Sequence, residues 1–329
     1  MSHTFAAPLA QLRAALLFLA LAFCTAGALA TPLELGAGIK RVEAWPAVTV
    51  MNDPEAGMDP VAASAARGRF VRPDTAYATL GMQEGATWVR IPVTVPVGAP
   101  ENWVMQIDFG LLDKVDVFVE NAGVVRKVGT AGRADVQDGW ALKGRVPAVV
   151  MRLQAGAQQT VLIRVESHGA FILPIEFLQP DAFHGASLAE QMLQGLMLGL
   201  GLCLFLYSVG QWVTLREHLF GKYALLVGAV TLYSACWFGI ADQFLWQDNA
   251  WLSEHGAGLA SILASCGAYL FVEQSLARPG MDRLFSRLMK TLAALCVISA
   301  IGFGAGLISH HYLVAIIGTL GILPMMATR

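Results

Sequence analysis

Six residues between positions 88 and 168 carry side chains suited to binding a small molecule: Trp88, Arg90, Trp140, Arg164, Glu166 and His168. An indole ring offers a flat apolar face, while guanidinium, carboxylate and imidazole groups donate or accept hydrogen bonds. Trp140 is the best candidate, because it lies in the polar loop Gln137-Asp-Gly-Trp-Ala141. An aromatic side chain in such a loop has less core to join.

Most of these candidates also have a structural interpretation. Trp88 lies in a predicted strand, as does Trp103, and both positions favour burial in a core; Trp45 is a further aromatic candidate. The two arginines, Arg90 and Arg164, can lie in solvent or pair with a carboxylate on a neighbouring strand, such as Glu166. Both interpretations of each residue stay open at this point.

The sequence contains no pattern that predicts catalysis or a metal site. His168, in Ser167-His-Gly-Ala170, has no second histidine or clustered ligand near it in the same region. A lone histidine does not complete a metal coordination sphere. There is no Gly-x-Ser-x-Gly motif and no convincing carboxylate pair. We therefore expect no enzyme, no metal and no cofactor.

Short runs with alternating apolar residues contain these candidates. They span residues 86–95, 103–109, 114–120, 124–128, 160–166 and 171–177, and Asn121-Ala-Gly123 marks a hairpin turn. Strands with this spacing, and with no long helical pattern, predict an all-β sandwich. We assign residues 31–185 to this domain.

The composition of the whole chain is that of a membrane protein. The chain has 329 residues, of which 56% are hydrophobic and 14% charged, and its mean hydropathy is +0.56. The net charge of −2, without a basic patch, argues against nucleic acid as a partner. Five apolar runs predict membrane helices in a bundle over 186–329, at about 188–213, 223–246, 250–272, 288–308 and 312–327.

Basic residues predict the orientation of these helices, because cytoplasmic loops are enriched in Lys and Arg. The first and third loops contain them: Arg216, Lys222, Arg278, Arg283, Arg287 and Lys290. The sandwich is then outside the cytoplasm. Residues 1–30 agree, since a basic residue, an apolar run and Ala28-Leu-Ala30 are typical of a cleaved signal peptide.

Two features of the predicted helices predict how the helices pack and where a charge is paired. Gly195 and Gly199 form a small-xxx-small pair, which allows either helix packing within the chain, the interpretation we favour, or a homodimer. Glu273 lies near the cytoplasmic end of the third run, where we expect it to reach the interface or to pair with Arg278.

Several motifs, in order, resemble a known family of extracellular domains. They are Trp88-Val-Arg90, Trp103-Val-Met-Gln-Ile-Asp108, Leu111-Leu-Asp-Lys-Val-Asp-Val-Phe-Val119, Leu162-Ile-Arg-Val-Glu-Ser167, Leu173-Pro-Ile175 and Pro180-Asp-Ala-Phe183. Together they are similar to the type 2 extracellular domain of bacterial seven-transmembrane receptors with diverse intracellular signalling modules. The resemblance implies a periplasmic jelly-roll sandwich and a carbohydrate as the ligand.

The membrane region resembles the same family. The segments Leu215-Arg-Glu-His-Leu-Phe-Gly-Lys-Tyr-Ala224 and Phe271-Val-Glu-Gln-Ser-Leu276 carry this similarity. The family implies seven helices followed by a cytoplasmic output domain, a diguanylate cyclase or a histidine kinase. With five predicted helices and no output domain, this chain departs from the family pattern at its C-terminal end, and we expect a fragment, a truncated gene product or a degenerate receptor.

The leading hypothesis is therefore a multi-pass sensory receptor of the bacterial inner membrane that binds a small ligand outside and signals inwards. One alternative is a membrane-anchored binding or assembly module without signalling. A transporter is disfavoured, because the first four predicted helices carry few charges and no internal proline.

The predicted junction between the two parts is short. We expect Pro180–Phe183 to close the sandwich, about four residues before the apolar run that starts at Leu188.

Overall fold

The computed structural model describes residues 32–133, 138–246, 249–276 and 283–326, with side chains up to residue 319. The predicted signal peptide and Arg278 lie outside these ranges. The described part contains an N-terminal β region followed by a group of long helices.

The β region is built from short strands. They are β1 (Leu33–Glu34), β2 (Arg41–Glu43), β3 (Thr49–Asp53), β4 (Thr79–Met82), β5 (Ala86–Thr94), β6 (Asn102–Ile107), β7 (Lys114–Asn121), β8 (Val124–Ala131), β9 (Asp138–Gly139), β10 (Ala141–Leu142), β11 (Ala148–Arg152), β12 (Gln158–Glu166), β13 (Ala170–Ile172) and β14 (Ile175–Leu178). One short helix, α1 (Pro60–Ala65), interrupts them.

The strands form two main sheets. The first has the order β1-β5-β12-β7-β8-β9, with β3 also paired to β5, and the second has the order β10-β11-β6-β14-β2. Strands β4 and β13 form a separate pair. Neighbouring strands come from distant parts of the sequence because the chain crosses repeatedly between the sheets. The orders β5-β12-β7-β8 and β11-β6-β14-β2 are those of a jelly roll, which confirms the predicted sandwich.

The core lies between the two sheets. Alternate residues of β5 and β12, such as Val89, Ile91, Val161 and Ile163, are fully buried there. They pack against alternate residues of β6 in the opposite sheet, including Trp103. This period of two follows from strand geometry, since successive side chains point to opposite faces.

A second, smaller apolar cluster covers the outer face of the first sheet. Helix α1 lies over this face, and the cluster contains Met51, Ala63, Trp88, Phe118 and Leu162. The helix begins with Asp59, whose carboxylate accepts hydrogen bonds of 2.8 Å from the amides of Val61 and Ala62. This cap, with proline at the first helical position, fixes where α1 starts.

The predicted hairpin is present, whereas one predicted strand is divided. Strands β7 and β8 pair through a turn at Ala122 and Gly123, both with positive φ, as a two-residue hairpin requires. The run 171–177 instead forms two strands, β13 and β14, which belong to different sheets. Pro174 lies between them, and proline has no amide hydrogen for a sheet.

Five longer helices follow the sandwich. They are α2 (Pro180–Leu215), α3 (His218–Trp237), α4 (Ala250–Leu276), α5 (Arg283–Gly304) and α6 (His310–Met326). The first four are long and apolar enough to cross a membrane. The last has 17 residues, at the lower end of the length that spans a bilayer.

Several helix boundaries differ from the predicted ones. Helix α2 begins at Pro180, so Pro180–Phe183 belongs to the helix and does not close the sandwich. Helix α3 ends at Trp237, and residues Ala241–Leu245 form a π turn before α4. Helix α5 starts at Arg283, before the predicted position 288. Helices α2 and α5 thus begin in polar sequence before their apolar runs, because helix formation does not require apolar residues.

Close helix packing uses glycines other than the predicted pair. A Cβ on Gly201 of α2 would lie 2.4 Å from the Thr231 hydroxyl of α3. A Cβ on Gly267 of α4 would lie 2.8 Å from the backbone of Leu226. By contrast, a Cβ on Gly195 or Gly199 would meet no described atom within 4 Å. The expected intramolecular packing of that pair is therefore wrong for the described part of the chain.

Candidate functional site

The junction between the sandwich and the helices is the candidate functional site. Gln179 alone separates the last residue of β14 from the first residue of α2. Its amide donates to Lys40 O and its side-chain nitrogen to Ile39 O, both at 2.9 Å. Helix α2 then runs for 36 residues, about 54 Å at 1.5 Å per residue. The sandwich and the helix are thus joined without a flexible linker.

A second connection runs through Arg145 in the loop between β10 and β11. Its guanidinium donates to Asp108 Oδ1 at 2.7 Å and to the Glu190 carboxylate of α2. The arginine side chain is only 7% exposed. Burial opposes its charge, but the two carboxylates outweigh that effect and raise the pKa of Arg145. Arg145 therefore stays cationic and ties the sandwich to α2.

The backbones of the two parts also touch directly. Gly239, with φ +73°, packs so closely that a Cβ there would lie 1.9 Å from the carbonyl oxygen of Arg145. A Cβ on Gly110 would lie 2.8 Å from the Gly239 Cα atom. Beside this contact, the rings of Phe109 and Trp237 meet edge to face with centroids 5.3 Å apart. Only glycine fits at both backbone positions.

A third connection joins the sandwich to α4. Asp113 accepts hydrogen bonds from Arg133 Nε at 2.8 Å and from the amide of His168 at 2.7 Å. Arg133 also donates to the carbonyl oxygen of Ser253 at 2.6 Å. Burial opposes ionisation of Asp113, but the Arg133 charge and these hydrogen bonds prevail, and the pKa of Asp113 is lowered. An ionised Asp113 thus holds Arg133 against α4.

Histidine rings extend this third connection to α6. The ring of His168 lies 5.5 Å from that of His310, which lies 6.0 Å from that of His255. His255 also stacks on Trp251 at 5.0 Å. Within the described ranges, no group of three or more His, Cys, Asp or Glu residues could hold a metal ion. The ring contacts and the 3.1 Å approach of His255 Nδ1 to the carbonyl oxygen of Trp251 show the histidines packing and hydrogen-bonding at this connection.

One face of α2 serves both the junction and the bundle. Its upper part contributes Phe183, Ser187, Glu190 and Gln194 to two cavities under the sandwich, of about 240 and 160 Å³. Further along, residues on the same helical spacing contact α3 or the turn that follows it: Leu198, Gly201, Phe205 and Trp212. Positions three and four apart share a helix face. A rotation or translation of α2 would therefore alter both contacts at once.

A polar cluster joins three helices at the opposite end of the bundle. Glu273 of α4 accepts hydrogen bonds from Lys222 of α3 at 2.8 Å and from Ser286 of α5 at 2.7 Å. Lys290 of α5 lies 3.3 Å from the same carboxylate. Glu273 pairs with cations, as predicted, but these cations are the lysines Lys222 and Lys290. The expected partner Arg278 lies outside the described residues.

Residues 46–179 match the family described as 7TMR-DISM extracellular 2, and residues 190–328 match the family described as 7TM diverse intracellular signalling. The chain belongs to the 7TMR-DISM receptors. It is a membrane sensory receptor with an extracellular sandwich and a membrane domain. This confirms the resemblance found in the sequence motifs.

Other comparisons add little. No curated protein matches the chain. A solved structure of a β-galactosidase candidate from Bacteroides fragilis shares 16% identity, with a TM-score of 0.27. That match covers 42% of this chain and 23% of the other, so it does not bear on activity.

In this 7TMR-DISM receptor, the predicted ligand residues do not converge on one site. Trp140 is 69% exposed and lies on the surface between β9 and β10. His168 lies at the junction, where its Nδ1 atom is 2.8 Å from Asp113 Oδ2. The two remain candidates, but they serve separate parts of the sandwich.

The remaining candidates are engaged in the sandwich itself. Trp88 is fully buried in the cluster under α1, so it offers no ring face to a ligand, and its predicted binding role is corrected to packing. Arg164 pairs with Glu166 and donates to Ala56 O at 2.9 Å. Arg90 lies 3.9 Å from Glu120 Oε2. Trp103 is also fully buried, and the half-buried Trp45 packs against Tyr77.

Sequence reasoning named His168 but missed the charged residues of the junction. Arg145, Asp108 and Asp113 stood in the sequence as ordinary loop charges, and Glu190 as one acid near the start of an apolar run. A charge at that position in a membrane receptor is the signal that could have drawn attention to Glu190. Its partner Arg145 is 45 positions away, and no local pattern connects the two.

Proposed function

We propose that this chain is the sensing and membrane part of a receptor in the bacterial inner membrane, with its sandwich in the periplasm. The sandwich binds a small ligand, a carbohydrate as the family resemblance implies, and movement of α2 carries the signal. The output is a diguanylate cyclase or a histidine kinase outside these 329 residues. The observation that carries this proposal is the direct joining of β14 to α2 through Gln179.

The connection between β14 and α2 transmits movement because the strand and the helix are both held rigidly. Strand β14 pairs with both β6 and β2, so it moves with its sheet. A long continuous helix shifts as a body, since its backbone hydrogen bonds leave no hinge. A change in the second sheet therefore becomes a displacement of α2.

The connections at Arg145 and Arg133 support two discrete arrangements of the sandwich and the helices. Each depends on short-range hydrogen bonds that are either formed or broken: Arg145 with Glu190, and Arg133 with Ser253. A ligand shifts the balance between the arrangements only if it binds one of them more tightly. A difference in ligand affinity between the two arrangements would arise from contacts at the sandwich–helix boundary, since these contacts change between them.

The distribution of basic residues supports the periplasmic placement. The end of the bundle opposite the sandwich carries Lys222 and Lys290, together with Arg216 just before α3 and Arg283 at the start of α5. Cytoplasmic ends of membrane helices are enriched in such residues. The sandwich end is then on the outer side.

The test uses this chain joined to an active output domain. A Gly-Ser-Gly-Ser insertion between Gln179 and Pro180 should abolish the ligand-dependent change in output while ligand binding is kept. The same insertion after Gly98, in an exposed turn beside Val97, is the control and should leave the response intact. A response that survives the first insertion would refute mechanical coupling through α2. Ligand binding without any response in the wild type would favour the anchored binding module instead.

A further inference from the structure

The larger cavity at the junction, of about 240 Å³, lies between the sandwich and helices α2 and α3. Asp108, Phe109 and Arg145 line it from the sandwich, and Glu190, Gln194 and Trp237 line it from the helices. A single water needs only about 10–15 Å³ measured in the same way. The cavity therefore has room for a small organic molecule.

Gln194 is the residue that indicates a ligand. It is 9% exposed, and its Oε1 atom is buried without a hydrogen-bond partner among the described residues. A buried polar atom left without a partner costs about 1–3 kcal/mol. Most such atoms in proteins are paired with a protein group or with ordered water. Gln194 therefore offers an unused hydrogen-bonding group to the cavity.

The charges around the cavity select the type of ligand. Two carboxylates, Asp108 and Glu190, surround one guanidinium, that of Arg145. Arg41 also interacts with both carboxylates, but it is paired with Glu176 at 2.8 Å, so the sum remains one negative charge in a half-buried place, which attracts a cation. The attraction between this charge and a cation does not depend on the orientation of the Gln194 amide. The basic Lys143 and the imidazole of His184 line only the adjacent cleft, and both are exposed to solvent, where screening is strong.

We propose that this cavity binds a small organic cation, a primary ammonium compound. Its ammonium group donates to Gln194 Oε1 and to the Glu190 carboxylate, while its carbon chain packs against Trp237 and Phe109. An ammonium group has three donors and a full charge, which match an amide oxygen beside carboxylates. An aromatic ring beside the cation adds further attraction.

This inference rests on the proposed receptor function for its physiological meaning, but the binding itself does not. A cation at Glu190 would compete with Arg145 for the same carboxylate. Binding would then weaken the link between the sandwich and α2, which is the link that the proposed signal uses. The site would thus couple ligand occupancy directly to the position of the helix.

The test measures binding to the full chain in lipid nanodiscs by calorimetry. The probe is n-butylamine, which is protonated at pH 7, and its matched controls are n-butanol and butyrate, neutral and anionic chains of similar size. We expect saturable binding of n-butylamine and no saturable binding of the two controls. Equal binding of n-butanol would overturn the proposal, and so would binding of butyrate alone.

Two variants locate the site. Gln194→Leu removes the amide oxygen at nearly constant size and should weaken binding by about tenfold or more, the value of one hydrogen bond to a charged group. Glu190→Gln removes the negative charge and should weaken it similarly. Gln191→Leu is the control, because Gln191 is outside the cavity lining and donates to Ser187 at 3.2 Å. Its dissociation constant should stay within about twofold of the wild type.

The outcomes separate the two proposals. An equal loss in Gln191→Leu and Gln194→Leu, or no binding by wild-type chain whose circular dichroism shows it folded, would overturn the cation site. A receptor that still responds to another ligand in that case would keep its proposed function. Binding of n-butylamine without any change in output would support the site and count against its role in signalling.

Discussion

Arg145 in the sandwich forms an ion pair with Glu190 in the first membrane helix, although the two residues are 45 positions apart in the sequence. The same guanidinium binds Asp108, so one buried cation holds two carboxylates from different domains. This pairing, together with the direct β14–α2 connection, makes the sandwich and α2 a mechanically coupled pair.

Replacement of Arg145 should loosen this coupling. In Arg145→Met, Asp108 and Glu190 lose their common cation, and both are about a third exposed, so we expect a loss of about 1–3 kcal/mol. Amide hydrogen exchange in the β10–β11 loop should become faster. The control is Arg152→Met, whose side chain is 80% exposed and which should change stability by less than about 0.5 kcal/mol. Similar effects of both substitutions would contradict the special role of Arg145.

A methyl group at Gly239 should separate the sandwich from α3. Gly239→Ala places a Cβ 1.9 Å from the Arg145 carbonyl oxygen, which adds a clash to the strain of a positive φ. Gly306→Ala is the matched control, because Gly306 has the same φ of +73° but open space around it. We expect the control to cost about 1 kcal/mol and Gly239→Ala about 2–4 kcal/mol in thermal unfolding. Equal losses would show that only backbone strain matters at Gly239.

Acidification should weaken the connection at Asp113. Because its pKa is lowered in the folded protein, Asp113 stabilises the fold at pH values above its unfolded pKa of about 3.8. That stabilisation is lost as the pH falls through the lower folded pKa. Tryptophan fluorescence measured from pH 6 to pH 2 should show this transition, and Asp113→Asn should remove it. Asp74→Asn, which alters an exposed carboxyl group, should leave the transition in place.

The packing of α2 on α3 should depend on Gly201. In Gly201→Ala the new Cβ meets Thr231, and we expect a loss of about 1–3 kcal/mol in detergent unfolding. Thr231→Ala in the same chain should recover much of this loss, since it removes the atoms that clash. Gly199→Ala, on an open face two residues away, should be neutral or slightly stabilising. No recovery in the double variant would argue against this contact.

Loss of the charge on Glu273 should loosen the far end of the bundle. Glu273→Gln leaves Lys222 and Lys290 without their shared carboxylate, and Glu273 is 5% exposed, so we expect a loss of about 1–3 kcal/mol. Crosslinking of cysteines introduced into the ends of α3 and α5 would report the separation. Glu217→Gln changes an exposed acid near the same end and should have little effect. A similar separation in both variants would be evidence against the cluster.

The sequence by itself determined the two-part organisation, most of the strands and the orientation of the helices. These features are local: alternation marks strands such as β5 and β12, a long apolar run marks a helix, and lysines mark one side of the membrane. Local patterns did not reveal that Pro174 divides one run between two sheets. They also left open whether Trp88 lies in the core or binds a ligand, and burial settled that question.

Only the tertiary structure decided the junction. Arg133 reaches Ser253 across 120 positions, and Arg145 reaches Glu190 across 45. A charged side chain in a loop has the same sequence signature whether it faces water or a partner from another domain. Its role depends on how the sandwich docks on the helices. That docking depends on complementary shape and on close backbone approach, as at Gly110 and Gly239. The sequence therefore identified the receptor, and the fold located the place where its two parts meet.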